Sequence, residues 1–231
     1  MKKVEEIFDI EIDETLLFER ALTHPSYTQE NDFEYTECYE RLEFLGDAVL
    51  KLAISDILYK KYPDAHEGEM SKIRSIAVSD STLSIISKEI GLSELIRASE
   101  HDLKQGIKNL ESVSACAFEA VLGAYYLDGK LDLLMQKLKE LFVPYIEEIN
   151  QNMDKYNAKA LLQEYTQSIN KKTPVYKLIA EDGPAHNKVF TVEVWYNGEF
   201  IAQACGKSKK EAEQKCAFEA CKKLGVSECQ K

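Results

Sequence analysis

Glu40-Arg41-Leu42-Glu43-Phe44-Leu45-Gly46-Asp47-Ala48-Val49-Leu50, continuing as Lys51-Leu52-Ala53-Ile54, is the stretch on which the reading of this chain turns. Its spacing predicts a helix with Glu40, Glu43, Asp47 and Lys51 on one stripe, while Leu42, Phe44, Leu45, Ala48, Val49, Leu52 and Ile54 cover most of the remaining circumference. Acids so placed repel one another by about a few tenths of a kcal/mol per pair in water, and by more where water is excluded. The arrangement therefore needs a compensating cation, and a hard divalent metal with oxygen ligands is the natural candidate. A solvated acidic face is the commoner origin of such a stripe on a surface helix. The apolar wrap argues against that origin here.

A second acid strengthens the case. From Ser112 to Leu127 the apolar spacing again predicts a helix, and Glu119 is its only charged side chain. A carboxylate on so apolar a helix needs a partner: Arg74, Lys72 or Arg97 in an ion pair, or a metal shared with the first stripe.

Around these segments the chain is helical in pattern from about Val4 to Ile149, with Asp, Ser, Gly and Pro as punctuation. Near Asn150-Gln151-Asn152-Met153-Asp154-Lys155 the pattern turns polar, which places a boundary there. The expected domains are 1-150, all-α, and 155-226, a small α+β unit. The latter begins with a helix over Ala158 to Ile169 and continues with strands at Val175 to Ala180, Val189 to Tyr196 and Phe200 to Ala204. Asn197-Gly198 predicts a two-residue hairpin between the last two strands. Ser208-Lys209-Lys210-Glu211 reads as a capping box opening a final helix that Gly225 can end. The predicted order is α-β-β-β-α.

Charge follows the same division. The chain of 231 residues has a net charge of -11, made of -14 over residues 1-150 and +3 over 151-231. An acidic unit joined to a basic one suits a division between holding divalent cations and gripping a polyanion, although charge alone leaves other partners open. The N-terminus lacks the apolar run of a signal peptide, and charges interrupt every later apolar stretch before it reaches membrane-spanning length. A cytoplasmic protein with no membrane partner is expected. The six cysteines form no CxxC pair and have no histidines at zinc spacing, so reduced thiols are expected rather than disulfides or a metal knuckle.

These motifs together resemble ribonuclease III. Glu40 to Asp47 is similar to that family's signature. Ala21-Leu22-Thr23-His24-Pro25-Ser26-Tyr27, Glu67-Gly68-Glu69-Met70-Ser71 and Phe118-Glu119-Ala120 follow in the family's order and approximate spacing. The resemblance covers essentially the whole chain. It implies an all-α catalytic domain of the ribonuclease III fold followed by an α+β double-stranded RNA-binding domain. It also implies an endoribonuclease that hydrolyses double-stranded RNA to 5'-phosphate products with short 3' overhangs, in the processing of ribosomal and other structured RNAs. By the same resemblance Mg²⁺ is the cofactor, with no small-molecule cofactor. Glu43, Asp47 and Glu119 are then its ligands and the catalytic set, and Glu40 and Glu67 support them. A C2 homodimer is implied, with Phe44 packed across the interface. His24 is expected to set a helix junction, because no base-orienter pair accompanies it.

The second domain resembles a double-stranded RNA-binding module in three places. Gln163, Glu164 and Gln167 share a face of its first helix, Gly183-Pro184-Ala185-His186 forms a loop, and Ser208, Lys209 and Lys210 open the last helix. Amide, carboxylate and imidazole groups suit 2'-hydroxyls in the shallow groove of an A-form duplex, and lysines at a helix N-terminus suit phosphates. Trp195 and Phe190 are expected in the core or on the sheet surface rather than as stacking platforms. Two departures, Ala160 for a hydroxyl and Ala204 for a glycine, are expected to tune affinity.

One departure touches the acidic site. The family has Asp three residues before the Glu of the second catalytic helix, and this chain has Cys116. A thiol is a soft ligand, poorly matched to Mg²⁺, and one negative charge is lost. Three outcomes stay open: the remaining acids suffice, the enzyme is attenuated, or the chain has become a non-catalytic double-stranded RNA-binding protein that keeps the nuclease fold.

Overall fold

The acidic motif opens a helix that runs from Glu40 to Lys61, and a second helix from Glu111 to Leu127 lies against it. Two glycines decide how closely. A Cβ on Gly46 would fall 1.7 Å from the carbonyl oxygen of Glu119, and one on Gly123 would fall 2.3 Å from that of Leu42. Only hydrogen fits at either position, so the two backbones meet where the acids are.

The computed structural model describes residues 1–183 and 188–226. Its helices are α1 (Lys2–Phe8), α2 (Thr15–Ala21), α3 (Pro25–Glu30), α4 (Glu40–Lys61), α5 (Glu67–Ala77), α6 (Asp80–Glu89), α7 (Glu100–Lys104), α8 (Glu111–Leu127), α9 (Leu131–Gln151), α10 (Met153–Tyr156), α11 (Ala158–Asn170) and α12 (Lys209–Leu224). The three strands are β1 (Val175–Asp182), β2 (Val189–Tyr196) and β3 (Glu199–Gly206). The chain divides into two compact units, Met1–Glu148 and Ile149–Lys231. No helix among the described residues is long and apolar enough to cross a membrane.

In the first unit α8 is the central element, packed by α4, α6 and α2. Its side chains from Val113 to Tyr125 are buried except for Cys116 and Glu119, which are half-buried. Phe8, Phe18 and Phe118 surround the fully buried Tyr125 or one another, with the Phe18 and Tyr125 rings 4.6 Å apart and edge-on. Aromatic pairs of this geometry add to the stabilisation from burial alone.

The apolar wrap expected around α4 is only partly buried. Leu42, Val49 and Ile54 enter the core, whereas Phe44 is 83% exposed, Leu52 is 57% exposed and Ala48 is also exposed. Residues 44, 48 and 52 repeat every four positions, so they form an apolar stripe that this chain leaves uncovered.

His24 stands at a junction, as expected. It is the N-cap of α3, its Nδ1 accepts from the Ser26 N–H at 3.1 Å, and its own N–H donates to the Arg97 carbonyl at 2.8 Å. Burial lowers the imidazole pKa, and the neutral ring suits an acceptor at that cap.

In the second unit the strands form an antiparallel sheet in the order β1-β2-β3. Asn197 and Gly198 both have positive φ, 53° and 83°, as the hairpin reading requires. α11 packs on α12, and α12 packs on β2 and β3, around Leu161, Leu162, Val192, Val194, Ala202 and Cys216. Ser208 caps α12 by accepting from the Glu211 N–H at 3.2 Å, and Gly225 ends it at φ 69°. The Glu211 carboxylate reaches back to the Lys207 N–H at 2.6 Å, one residue earlier than a capping box requires.

On the open face of the sheet Trp195 meets Phe200 edge-on, donates from Nε1 to Glu193 at 2.9 Å and carries Lys177 over its ring. Phe190 packs against the core. Cys38, Cys116, Cys205, Cys216 and Cys221 are free thiols. Cys229 lies outside the described residues.

Candidate active site

α4 contributes Glu40, Glu43 and Asp47 from its first two turns, and α8 contributes Cys116 and Glu119 from successive turns of the facing surface. The backbones touch at Gly46 and Gly123, and the charges that act most strongly on Glu119 are those of Asp47 and Glu43. Burial raises the Glu119 pKa first, and then the charges of Asp47, Glu43 and Asp80 raise it further. Lys51 opposes them, and the carboxyl is pushed up to about 8. Glu43 is also raised, chiefly by burial and then by Glu40, Asp80 and Asp47, against a hydrogen bond from Cys116 that favours its ionised form. Burial and the neighbouring carboxylates push the Cys116 thiol far up, so it stays protonated and donates to Glu43. It supplies no charge.

The ion pairs that could have explained Glu119 are absent among the described residues. Arg74 donates to Ser55 Oγ at 2.8 Å, and Arg97 is held by the Glu19 carbonyl and Thr23 Oγ1 at 2.8 and 2.7 Å. The cation that acts on Glu119 is Lys51, which pairs with Asp47 at 2.7 Å across one helical turn. That pair is substantially exposed on both sides, so it is weak and readily exchanged. The carboxylates thus face one another across a half-buried surface with too little positive charge. Hard oxygen donors in this state fit a divalent cation, even though no three His, Cys, Asp or Glu side chains among the described residues already converge as a preformed metal cage.

Glu40 lies at the opening of α4, close to Cys38, whose Sγ is 3.9 Å from its Oε2. Glu67 stands apart. It opens α5, accepts from Ser71 Oγ at 2.6 Å and lines a hollow between α4 and α5 with Leu52, Tyr59, Met70 and Arg74. Its charge is not among the leading influences on Glu43 or Glu119.

Sequence reasoning missed two features. The Gly46 and Gly123 approach was invisible because a glycine inside a helix does not name its partner. The other is Asp80, which follows the α6 cap Ser79 and whose charge is felt by Glu43, Cys116 and Glu119 alike.

In the second unit Gln163, Glu164 and Gln167 are exposed along α11, opposite the buried Leu161, Leu162 and Thr166. Ser208, Lys209 and Lys210 are exposed at the start of α12, and neither lysine has an ion-pair partner among the described residues. His186 and its neighbours Pro184 and Ala185 lie outside the described residues.

Residues 13–146 match the Ribonuclease-III-like family model, and residues 158–224 match the double-stranded RNA binding motif. The chain is 39% identical over 208 residues to Ribonuclease 3 of Staphylococcus aureus strain JH9, which spans 90% of this chain and 85% of that protein. It is similar to the nuclease domain of ribonuclease III from Campylobacter jejuni, at 31% identity and a TM-score of 0.56 over 62% of this chain and 98% of that domain. The latter structure concerns flexibility in a region involved in that domain's dimer formation. A 2.2 Å crystal structure of the same domain gives a TM-score of 0.54 at 30% identity, over 64% of this chain and 94% of the domain. A helical nuclease unit followed by a double-stranded RNA-binding motif makes this chain an endoribonuclease. It belongs to the ribonuclease III family.

Proposed function

We propose that the protein hydrolyses phosphodiesters in double-stranded RNA with Mg²⁺ as cofactor, at a site built from Glu43, Asp47 and Glu119. The observation that carries this reading is Glu119, a half-buried carboxylate pushed up to about 8 on the helix packed against Glu43 and Asp47, with no ion pair of its own among the described residues. Mg²⁺ held by these three would lower the pKa of an attacking water and offset charge gathering on the phosphate. The protein's own part is to hold its carboxylates in register through the α4–α8 contact. Glu119 also has to shed its proton as the cation arrives, and Lys51 has to release or share Asp47. Glu40 and Glu67 stand in supporting roles nearer the RNA strand. Water oxygen bonds to phosphorus and the P–O3' bond breaks, which leaves a 5'-phosphate and a 3'-hydroxyl.

The RNA is gripped by the basic second unit, with Gln163, Glu164, Gln167 and His186 at 2'-hydroxyls and Ser208, Lys209 and Lys210 at phosphates. This recognises the shape of the duplex rather than its sequence. Cutting both strands asks for two sites, and a C2 homodimer supplies them. The uncovered stripe of Phe44, Ala48 and Leu52, beside the hollow between α4 and α5, suits a self-complementary interface with Phe44 entering the partner. Staggered cuts then leave short 3' overhangs. Structured precursors, including ribosomal RNA, in the cytoplasm are the expected substrates.

Cys116 favours a second reading, in which the chain binds duplex RNA and cleaves it poorly or not at all. One assay separates the two. Purified protein incubated with a long RNA duplex should yield short products with 5'-phosphates in Mg²⁺ and none in EDTA. Duplex binding without cleavage at any Mg²⁺ concentration would select the second reading.

A further inference from the structure

The site holds three carboxylates where four are expected, because the α8 position nearest Glu43 is a protonated thiol. We propose that Asp80, the first residue of α6, supplies the missing negative charge from a third helix. This rests on the metal-site reading above and extends it to a residue outside the two motif helices.

Placement is the first argument. α6 packs along α8, and Leu83, Ser84, Ile86 and Ser87 form the buried face that it presents to the core. At 3.6 residues per turn Asp80 lies one turn N-terminal on the same face, at its open, solvent-exposed end. The face of α6 that carries Asp80 is thus the face turned to the helix that carries Cys116 and Glu119.

Chemistry is the second argument. Ser79 already caps α6, its Oγ accepting from the Thr82 N–H at 3.5 Å, so the helix does not use Asp80 as its cap. Asp80 has no hydrogen bond or ion pair of its own among the described residues. Its charge nevertheless acts on Glu43, Cys116 and Glu119, which places it within electrostatic reach of those three. A free carboxylate that raises the cost of its neighbours' ionisation becomes favourable once a divalent cation is present. The plain alternative is that Asp80 merely complements the positive end of the α6 dipole.

Metal binding by the RNA-free, full-length protein distinguishes these. Mn²⁺ is titrated in by electron paramagnetic resonance, Mg²⁺ by calorimetry, and thermal melts are run alongside. Asp80→Asn should weaken divalent-cation affinity by about 3- to 10-fold, the effect of one partly screened charge several ångströms away. Asp80→Glu should recover most of the loss, and Cys116→Asp placed in the Asp80→Asn background should recover it by returning a carboxylate to the cluster. A dipole role alone would lower the melting temperature of Asp80→Asn and leave metal affinity unchanged, which would overturn the proposal. Glu119→Gln serves as the reference. If it abolishes metal binding while Asp80→Asn does nothing, only the role of Asp80 is lost. If neither variant changes binding, the metal site itself is wrongly assigned.

Discussion

Gly46 on α4 lies against the carbonyl of Glu119 on α8 so closely that a Cβ would stand 1.7 Å from that oxygen. The contact fixes the separation of the helices at the level of the acids, and with it the distance over which Glu43, Asp47 and Glu119 can share a cation. Gly123 makes the reciprocal approach to Leu42. These glycines place the chemistry without taking part in it.

Gly46→Ala should therefore damage both fold and site. The methyl can be admitted only by moving backbone, and overpacking of that kind costs about 1–3 kcal/mol or more. Urea denaturation should report the loss, and metal affinity should fall in whatever fraction stays folded. A variant as stable as the parent would show that the helices are not held this close.

The raised carboxyl of Glu119 has a definite sign in pH. Its folded form keeps a proton that the unfolded chain loses above 4.5, so its cost to stability is absent below 4.5, grows as pH rises and is complete above about 8. In EDTA, Glu119→Gln should gain melting temperature over the parent as pH is raised across that interval, and the two should converge at low pH. Mg²⁺ binding below pH 8 should release a proton from the parent, measurable by calorimetry in buffers of different ionisation heat. A difference independent of pH would mean that Glu119 is ionised throughout.

Lys209 and Lys210 should act on affinity and salt response rather than on sequence preference. Replacing both with Ala should reduce the slope of log affinity against log salt by roughly 1–2, as expected when two phosphate contacts are lost. Filter binding or fluorescence anisotropy on a duplex at several salt concentrations measures it. An unchanged slope would place the RNA elsewhere on the unit.

Phe44, 83% exposed in the single chain, should matter for assembly. Phe44→Asp should shift the protein from dimer to monomer in sedimentation at micromolar concentration while its helical content is kept. A dimer of unchanged affinity would remove the stripe on α4 from the interface.

Much of this was legible because periodicity speaks about a single element. The 3.6-residue repeat put Glu40, Glu43 and Asp47 on one edge, Asn197-Gly198 named its own hairpin, and Ser208 named the start of α12. What stayed hidden concerns pairs of elements. The apolar pattern around α4 could not tell core residues such as Leu42 from uncovered ones such as Leu52, since both are simply apolar. Glu67 was expected in a supporting role, but its spacing could not say that α5 and α4 would line a hollow around it. Nothing in the sequence around Asp80 names α8 as the helix on which α6 lies.

The central claim is that Glu119 and the α4 acids hold the divalent cation that cleavage needs. Glu119→Gln tests it most directly, because the amide keeps the shape of the side chain and removes its charge. Parent and variant are compared on a long RNA duplex across a Mg²⁺ titration, with duplex binding and thermal melting measured in parallel. The account predicts cleavage lost by at least about 100-fold at ordinary Mg²⁺, the scale on which removing a metal ligand acts, with binding and folding retained. Parent-like cleavage by Glu119→Gln at the same Mg²⁺ concentrations would contradict it.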